Sequence, residues 1–202
     1  MARNRVAQWT MSVVLTMPLF AHGQTVDTNP STVRAGSYEL DPLHSRVTWT
    51  TNHRGFSNYS GLLADLTGRM TLNPAEPDRT SLTVTIPMDR GGTFQSNLDG
   101  VLQSTFFESG RYPTATFAST RVERINERQA RVTGDLTLKG ATNPVTFVGT
   151  FNGAGVHPDS KRYIIGFNGD TTIRRSAFGI TAAPVIGDEV RLSLEAEFFA
   201  VE

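Results

Sequence analysis

The length, charge balance and cysteine content of this chain exclude several classes of function. Its 202 residues suit one all-β barrel or sandwich domain. Its 19 basic residues balance 19 acidic ones, which argues against nucleic-acid binding and against electrostatic docking on a membrane surface. Because the chain contains no cysteine, it has no thiol catalysis, thiolate metal site or c-type haem attachment.

Residues 1–23 have the three parts of a secretory signal peptide. Arg3 and Arg5 provide a positive start, residues 9–20 are mainly apolar, and small residues follow at the cleavage position. A helix of twelve residues spans roughly 18 Å, against about 30 Å for the hydrocarbon core of a bilayer, which disfavours the alternative of a membrane anchor. We therefore expect export and cleavage before Gln24, leaving 17 basic and 19 acidic residues.

After a polar stretch at 24–36, predicted to be a flexible lead-in, apolar and polar residues alternate in eight stretches. In the last of these, Val190, Leu192 and Leu194 alternate with polar residues, as on a strand with one dry and one wet face. Short gaps rich in turn residues favour antiparallel neighbours. Eight such strands close into a barrel whose interior is either filled or just roomy enough for one ligand. The predicted strands are 38–50, 64–72, 81–88, 114–123, 129–138, 144–152, 162–173 and 189–200.

Between the third and fourth predicted strands the apolar period changes from two to three and four. The residues with this spacing are Phe94, Leu98, Val101, Leu102 and Phe106. Such spacing predicts one amphipathic helix. In an all-β array we expect this helix to cover an open side of the barrel or to lie over its mouth.

Large rings on the inward faces of the strands leave two interpretations open. They either pack a solid interior or line a slot for an apolar chain. Gly149 and Gly169 lie on the same inward faces as Phe147 and Phe167, and glycine at such positions fits a sharp bend or vacates volume for a ligand. The candidate ligand-binding residues are Trp49, His53, Phe56, Phe117, Phe147, Phe151, Phe167 and Phe178.

A cluster of polar residues near the first predicted strand raises the alternative of an enzyme. Asp41, His44 and His53 could hold a metal or perform acid–base chemistry. The two histidines are nine residues apart, roughly 30 Å in an extended chain, so a bend would have to unite them. In the competing interpretation, Asp41 and Ser45 accept hydrogen bonds from backbone amides of a turn while the histidines plug one end of the barrel.

Two adjacent cations follow the seventh predicted strand. Arg174 or Arg175 could cap the mouth of a cavity and contact a polar head group. Equally, both could be solvated surface charges.

Five motifs, in order along the chain, resemble those of YceI-like proteins. The resemblance covers 37–202, essentially the whole mature domain. The motifs are Tyr38-x-Leu40-Asp41-x-x-His44-Ser45; His53-x-Gly55-Phe56-Ser57; Tyr112-Pro113 with Thr116-Phe117-x-Ser119-Thr120; Gly134-x-Leu136-Thr137-x-x-Gly140 with Pro144-Val145; and Arg175-Ser176-x-Phe178-Gly179.

This resemblance implies an extended lipocalin-like antiparallel barrel with a long apolar channel for polyisoprenoids or related amphiphiles. It also implies export to a bacterial periplasm and a role as a binder or carrier without settled catalytic activity. The chain departs from the family pattern at three places. Residues 97–102 lack the usual Arg and His of the helix, Ala177 replaces an acidic residue, and Trp49 stands where Phe is common.

Together these observations predict an all-β protein: an eight-stranded antiparallel lipocalin-like barrel with one short amphipathic helix at its side or mouth. Its expected partner is a long-chain apolar small molecule, such as a polyisoprenoid or a quinone tail. We expect no enzyme activity, no metal or other cofactor, no nucleic-acid partner and no stable membrane span, with a homodimer as one open arrangement. The alternatives are a metal- or histidine-dependent enzyme and a periplasmic stress or interaction protein with a solid barrel.

Overall fold

The computed structural model describes residues 26–201, which form a closed antiparallel barrel. Eight strands make the closed ring in the order β1-β4-β5-β7-β8-β9-β10-β11, and β11 pairs with β1 again. This confirms the predicted fold class. The strands are β1 (Gly36–Leu40), β2 (Arg46–His53), β3 (Ser57–Leu63), β4 (Thr67–Leu72), β5 (Ser81–Pro87), β6 (Gly91–Gly92), β7 (Thr114–Arg124), β8 (Gln129–Leu138), β9 (Ala141–Val156), β10 (Tyr163–Arg174) and β11 (Ile186–Ala200).

Two positions in the barrel wall are each built from two strands. The segment 41–45 interrupts the single strand predicted at 38–50, and both resulting strands, β1 and β2, pair with β11. In the same way β4 pairs with β1 while β3 pairs with β2. β3 has no counterpart among the predicted strands, because Ser57–Leu63 is mostly polar and does not alternate.

The strand β9 begins earlier than predicted, at Ala141, and includes Pro144. At that point β9 is paired only with β8, since its pairing with β10 begins at Val148. Proline lacks the backbone N–H that a second neighbouring strand would need. It is tolerated at Pro144 because no second strand is paired there.

The predicted helix is present, with different bounds. The α-helix α1 covers Ser96–Val101, and one π-helical turn continues it over Leu102–Phe106. Phe94, predicted as part of its apolar stripe, instead lies before the helix with a positive φ of 62° and is 93% exposed. Phe106 packs against the core at one end of the barrel.

The two ends of the barrel differ. We call the closed end the one formed by the β2–β3, β8–β9 and β10–β11 connections together with α1, and the open end the one formed by the β4–β5, β7–β8 and β9–β10 connections. A buried apolar cluster fills the closed end; it includes Met88, Leu138, Phe178 and Ile180. A second buried apolar cluster lies nearer the open end and includes Tyr38, Ile165 and Phe198.

The predicted lead-in has defined contacts in its described part. Residues 26–35 run beside the open end as a segment that we call the strap, with one 3₁₀ turn at Pro30–Thr32. The predicted signal peptide at 1–23 lies outside the described residues. Within residues 26–201, no helix has the length and apolar character needed to cross a bilayer.

Candidate binding cavity

The barrel encloses a cavity of about 770 Å³. This volume is typical of pockets that bury a small molecule, so the interior is not solid as the interaction-protein alternative required. Inward-facing aliphatic side chains from eight wall strands make a large part of its lining. They include Leu40, Val47, Met70, Leu82, Val84, Ile86, Val122, Val132, Leu136, Val145, Leu192 and Leu194.

Four of the eight candidate ligand-binding residues line this cavity: Phe117, Phe147, Phe151 and Phe167. The rings of Phe117 and Phe147 are 5.6 Å apart between centroids. Phe151 and Phe167 are 5.8 Å apart in an edge-on arrangement, and Phe167 is also 6.2 Å from Phe198. These spacings are those of favourable aromatic pairs, so the rings within each group support one another.

The two inward glycines contribute to the cavity in different ways. A Cβ atom at Gly169 would lie 3.1 Å from Cδ2 of Phe147, so this glycine makes room for that ring. A Cβ atom at Gly149 would lie 3.7 Å from Cε2 of Phe147 and 3.9 Å from the backbone oxygen of Ala130, which are ordinary contact distances. Gly149 therefore faces the lumen, and the volume that its missing side chain leaves is available to a ligand.

The other four candidates lie elsewhere, which corrects their predicted placement. Trp49 is buried, but its indole fills the space above Gly61. His53 ends β2 beside Tyr59, and Phe56 is 89% exposed on the β2–β3 turn. Phe178 is buried in the closed-end cluster. Alternation cannot distinguish these positions from lining ones, because it indicates which face a residue occupies and not its height along the barrel axis.

Neither arginine of the Arg174–Arg175 pair reaches the cavity mouth, because both lie at the closed end. Arg174 is exposed. Arg175 is only 7% exposed and donates hydrogen bonds to five backbone carbonyls. These carbonyls belong to Ile180, Ala182, Ala183, Ile186 and Gly187, at distances of 2.7–3.1 Å. The residue therefore organises the β10–β11 connection.

The mouth at the open end is polar, and none of the predicted site residues lies there. Its rim includes Asn29, Asn73, Arg124, Asn126 and Gln129. They sit in or next to turns, where polar residues are common for local reasons, so composition alone gives no sign that they surround an opening. A ligand with an apolar tail and a polar head would therefore place its head here.

The strap is fastened across part of this mouth. Asp27 and Ala154 exchange two backbone hydrogen bonds of 2.8 Å, beyond the point where β8 pairs with β9. Val33 is buried and lines the cavity. The hydroxyl of Tyr38 donates to the carbonyl of Arg34 at 2.6 Å, and burial raises the pKa of Tyr38 to about 12, which keeps this hydroxyl a donor across the physiological pH range.

The strap can be displaced by a single substitution at Gly153. A Cβ atom there would collide with the side chain of Val26, next to the Asp27–Ala154 bridge. We expect Gly153→Val to loosen the strap and to speed the release of a bound apolar probe by about tenfold, with little change in thermal stability, because gating contacts act mainly on dissociation rates. Stopped-flow fluorescence measures the release. Gly166→Val on the facing strand is the control, since a Cβ atom there meets nothing closer than 3.9 Å, and equal release rates in both variants would show that the strap does not restrict the mouth.

The Asp41–His44 pair lies in the segment between β1 and β2, outside the cavity. Nδ1 of His44 is 2.6 Å from Oδ2 of Asp41, and the backbone amide of Leu43 donates to Oδ1 of Asp41 at 3.0 Å. Ser45 accepts from the amide of Glu197 at 3.0 Å. Asp41 thus satisfies a turn amide, as the competing interpretation held, whereas Ser45 accepts from a strand amide and the exposed His44 does not plug the barrel.

The structure brings together only part of the predicted enzyme cluster. Within the described residues, one nitrogen of His44 and carboxylate oxygens of Asp41 and Glu197 lie within 4.8 Å of one another. His53, the third predicted member, lies at the far end of the unbroken strand β2, so no bend brings it to His44.

The His44 ring gives stability a predictable dependence on pH. The hydrogen bond to Asp41, and then its charge, raise the pKa of His44 above its ordinary value of 6.5. A group whose pKa is raised by folding contributes its full stabilisation at pH values below its pKa in the unfolded state. This stabilisation is lost as the pH rises through its pKa in the folded state. We expect His44→Gln to lower the free energy of unfolding at pH 5.5 and to change it much less at pH 8.5, as measured by urea denaturation. An equal loss at both pH values would contradict the pairing of a protonated ring with Asp41.

A closed eight-stranded antiparallel barrel around one apolar cavity places this protein in the lipocalin-like class of folds. The family described as the YceI-like domain matches residues 38–198, so the chain belongs to the YceI-like family.

A relative agrees with this membership, and two solved structures share the fold. A UPF0312 protein of Pseudomonas putida (strain W619) is 34% identical over 166 residues, covering 81% of this chain and 86% of the relative. The crystal structure of BcnA from Burkholderia cenocepacia is similar with a TM-score of 0.69 and 22% identity, covering 78% of this chain and 98% of that one. A polyisoprenoid binding domain from Saccharophagus degradans has a TM-score of 0.64 and 14% identity, covering 83% and 100%.

Proposed function

We propose that this protein binds the tail of a polyisoprenoid or a similar long apolar lipid inside the barrel. The observation that carries the proposal is the cavity of about 770 Å³, which is lined mainly by apolar side chains in its interior and has most of its polar residues at the rim. A lipid with a greasy tail and a small polar head matches that distribution.

Burial of the tail would supply the affinity. Each methylene removed from water contributes about 0.8 kcal/mol, so one isoprene unit contributes on the order of 3 kcal/mol before the costs of association are subtracted. A few units suffice for tight binding. Specific contacts to the head are therefore not required for retention, which fits a rim made of turn residues.

Family and neighbour support the same conclusion. The Saccharophagus degradans domain with the same fold is described as polyisoprenoid binding. In our proposal the present protein is exported by its 1–23 signal peptide, works in the periplasm, and sequesters or carries the lipid without catalysing a reaction and without a resident metal or other cofactor. The homodimer stays a prediction, which analytical ultracentrifugation will check.

The test is to identify what leaves with the pure protein. The full chain is expressed with its own leader, purified from the periplasm and extracted with organic solvent, and the extract is analysed by mass spectrometry. We expect an apolar lipid in near-stoichiometric amount. Repeated recovery of protein without lipid, combined with no uptake of a fluorescent apolar probe, would overturn the proposal.

A further inference from the structure

The cavity ends well before the closed end of the barrel. Its inner lining reaches Ile86, Phe117, Leu136 and Leu192. The next inward-facing residues do not line it and instead pack together as a group that we call the plug. The plug consists of Met88, Ala115, Leu138, Ile173, Phe178 and Ile180, all no more than 9% exposed.

The plug is held in place by bonds that do not depend on a ligand. Phe178 and Ile180 belong to the connection that Arg175 organises through its five hydrogen bonds. The amide and hydroxyl of Ser176 donate to the two carboxylate oxygens of Asp188 at 2.9 and 2.8 Å, which ties the same connection to the start of β11. A tail entering from the mouth therefore meets a fixed floor.

The depth of the cavity from mouth to floor gives one measure of the length of the tail that fits. On β8, Gln129 at the rim and Leu136 at the floor are seven residues apart, about 23 Å along a strand and about 18 Å along the axis of a barrel with strands tilted by roughly 40°. With carbon–carbon bonds of about 1.5 Å, one extended isoprene unit covers about 5 Å. A straight tail of about four units thus reaches the floor.

The volume gives a second, independent measure. If each tail carbon occupies about the 30 Å³ that a water molecule takes up in the liquid, the cavity of about 770 Å³ holds roughly 25 carbons. That corresponds to about five isoprene units in a tail that bends.

From these two measures we infer that the plug acts as a length gauge, so that the preferred ligand has a tail of about four to five isoprene units. The inference rests on the proposed function and adds the ligand's size class to it. Each unit beyond the fifth remains outside the cavity, in contact with water.

The experiment offers the purified protein an equimolar mixture of prenols with three, four, five, eight and ten isoprene units in detergent micelles. Bound prenols are recovered on the protein and quantified by mass spectrometry. Inside a micelle every isoprene unit of a prenol is shielded from water, whereas units that protrude from the barrel are exposed to it. A prenol with protruding units therefore partitions from the protein into the micelle. We expect the eight- and ten-unit prenols to be depleted at least tenfold relative to the four- and five-unit prenols.

Two kinds of variant shift this limit in opposite directions. Gly149→Leu adds a side chain to the lumen, and we expect the longest accepted tail to shorten by about one unit; Val148→Leu on the outer face is its control. Met88→Ala and Phe178→Ala each remove part of the plug and should let longer tails in, with Met88→Ala as the milder change if Phe178→Ala fails to fold.

The outcomes separate the two proposals. Recovery of the eight- and ten-unit prenols in the proportions of the mixture would overturn the length gauge while leaving lipid binding intact. Recovery of no prenol of any length would overturn both.

Discussion

Replacing Phe147 by arginine is expected to reduce the uptake of a fluorescent apolar probe by at least about 100-fold. Phe147 lines the inner half of the cavity and contacts Phe117. In the empty protein, water in the cavity can hydrate the new guanidinium, so the barrel still folds. A bound tail would strip that water away, and desolvating an unpaired ion costs several kcal/mol, or two to three powers of ten in affinity.

The control for this prediction is the neighbouring residue. Val148 is 37% exposed on the outer face of the same strand, because successive side chains point to opposite faces. Val148→Arg therefore adds the same charge without entering the cavity, and we expect normal uptake. A folded Phe147→Arg protein that takes up probe as well as Val148→Arg would show that the ligand does not occupy the inner cavity. Fluorescence titration, with circular dichroism to check folding, measures both variants.

The barrel itself was predictable because alternation is a local property of the chain. Strands such as β8 and β11 have one apolar face, and a register slip by one residue would expose that face to water. Segments without such a face were not found. β3 forms a hairpin with β2, and its exposed residues are Ser57, Asn58 and Ser60, which give it no alternating apolar face. The strap is fixed by backbone hydrogen bonds of Asp27, which no side-chain pattern indicates.

The candidate site was only half predictable, for a geometric reason. Phe147 and Phe178 are both apolar rings in or next to strands, yet one borders the lumen and the other closes the barrel. Their difference depends on strand stagger and on the fold of the β10–β11 connection, which involve residues far apart in sequence. The same connection explains why the sequence left Arg175 open between a cavity mouth and a solvated surface: its five acceptors come together only in the folded chain.

Arg175→Met is expected to lower the free energy of unfolding by about 3–5 kcal/mol, more than any other substitution proposed for this protein. The substitution keeps an apolar stem of similar length but removes the donors to five carbonyls. An acceptor left buried without a partner costs about 1–3 kcal/mol, with partial relief where the connection opens to water. For a domain of this size, a loss of 3 kcal/mol lowers the melting temperature by roughly 6–12 °C.

Two further variants separate the bonding geometry from the charge. Arg175→Lys keeps the charge, but an ammonium group has three donors on one atom and cannot span acceptors distributed from Ile180 to Gly187; we therefore expect at most partial rescue. Arg174→Met, at the exposed neighbour, should change the free energy of unfolding by no more than about 0.5 kcal/mol. Urea denaturation compares all three, and an Arg175→Met protein as stable as Arg174→Met would mean that the five bonds are replaced by water at no net cost. Since Phe178 and Ile180 belong to the same connection, its loosening should also weaken the floor of the cavity, so that the destabilised variant accepts longer tails than the unchanged protein.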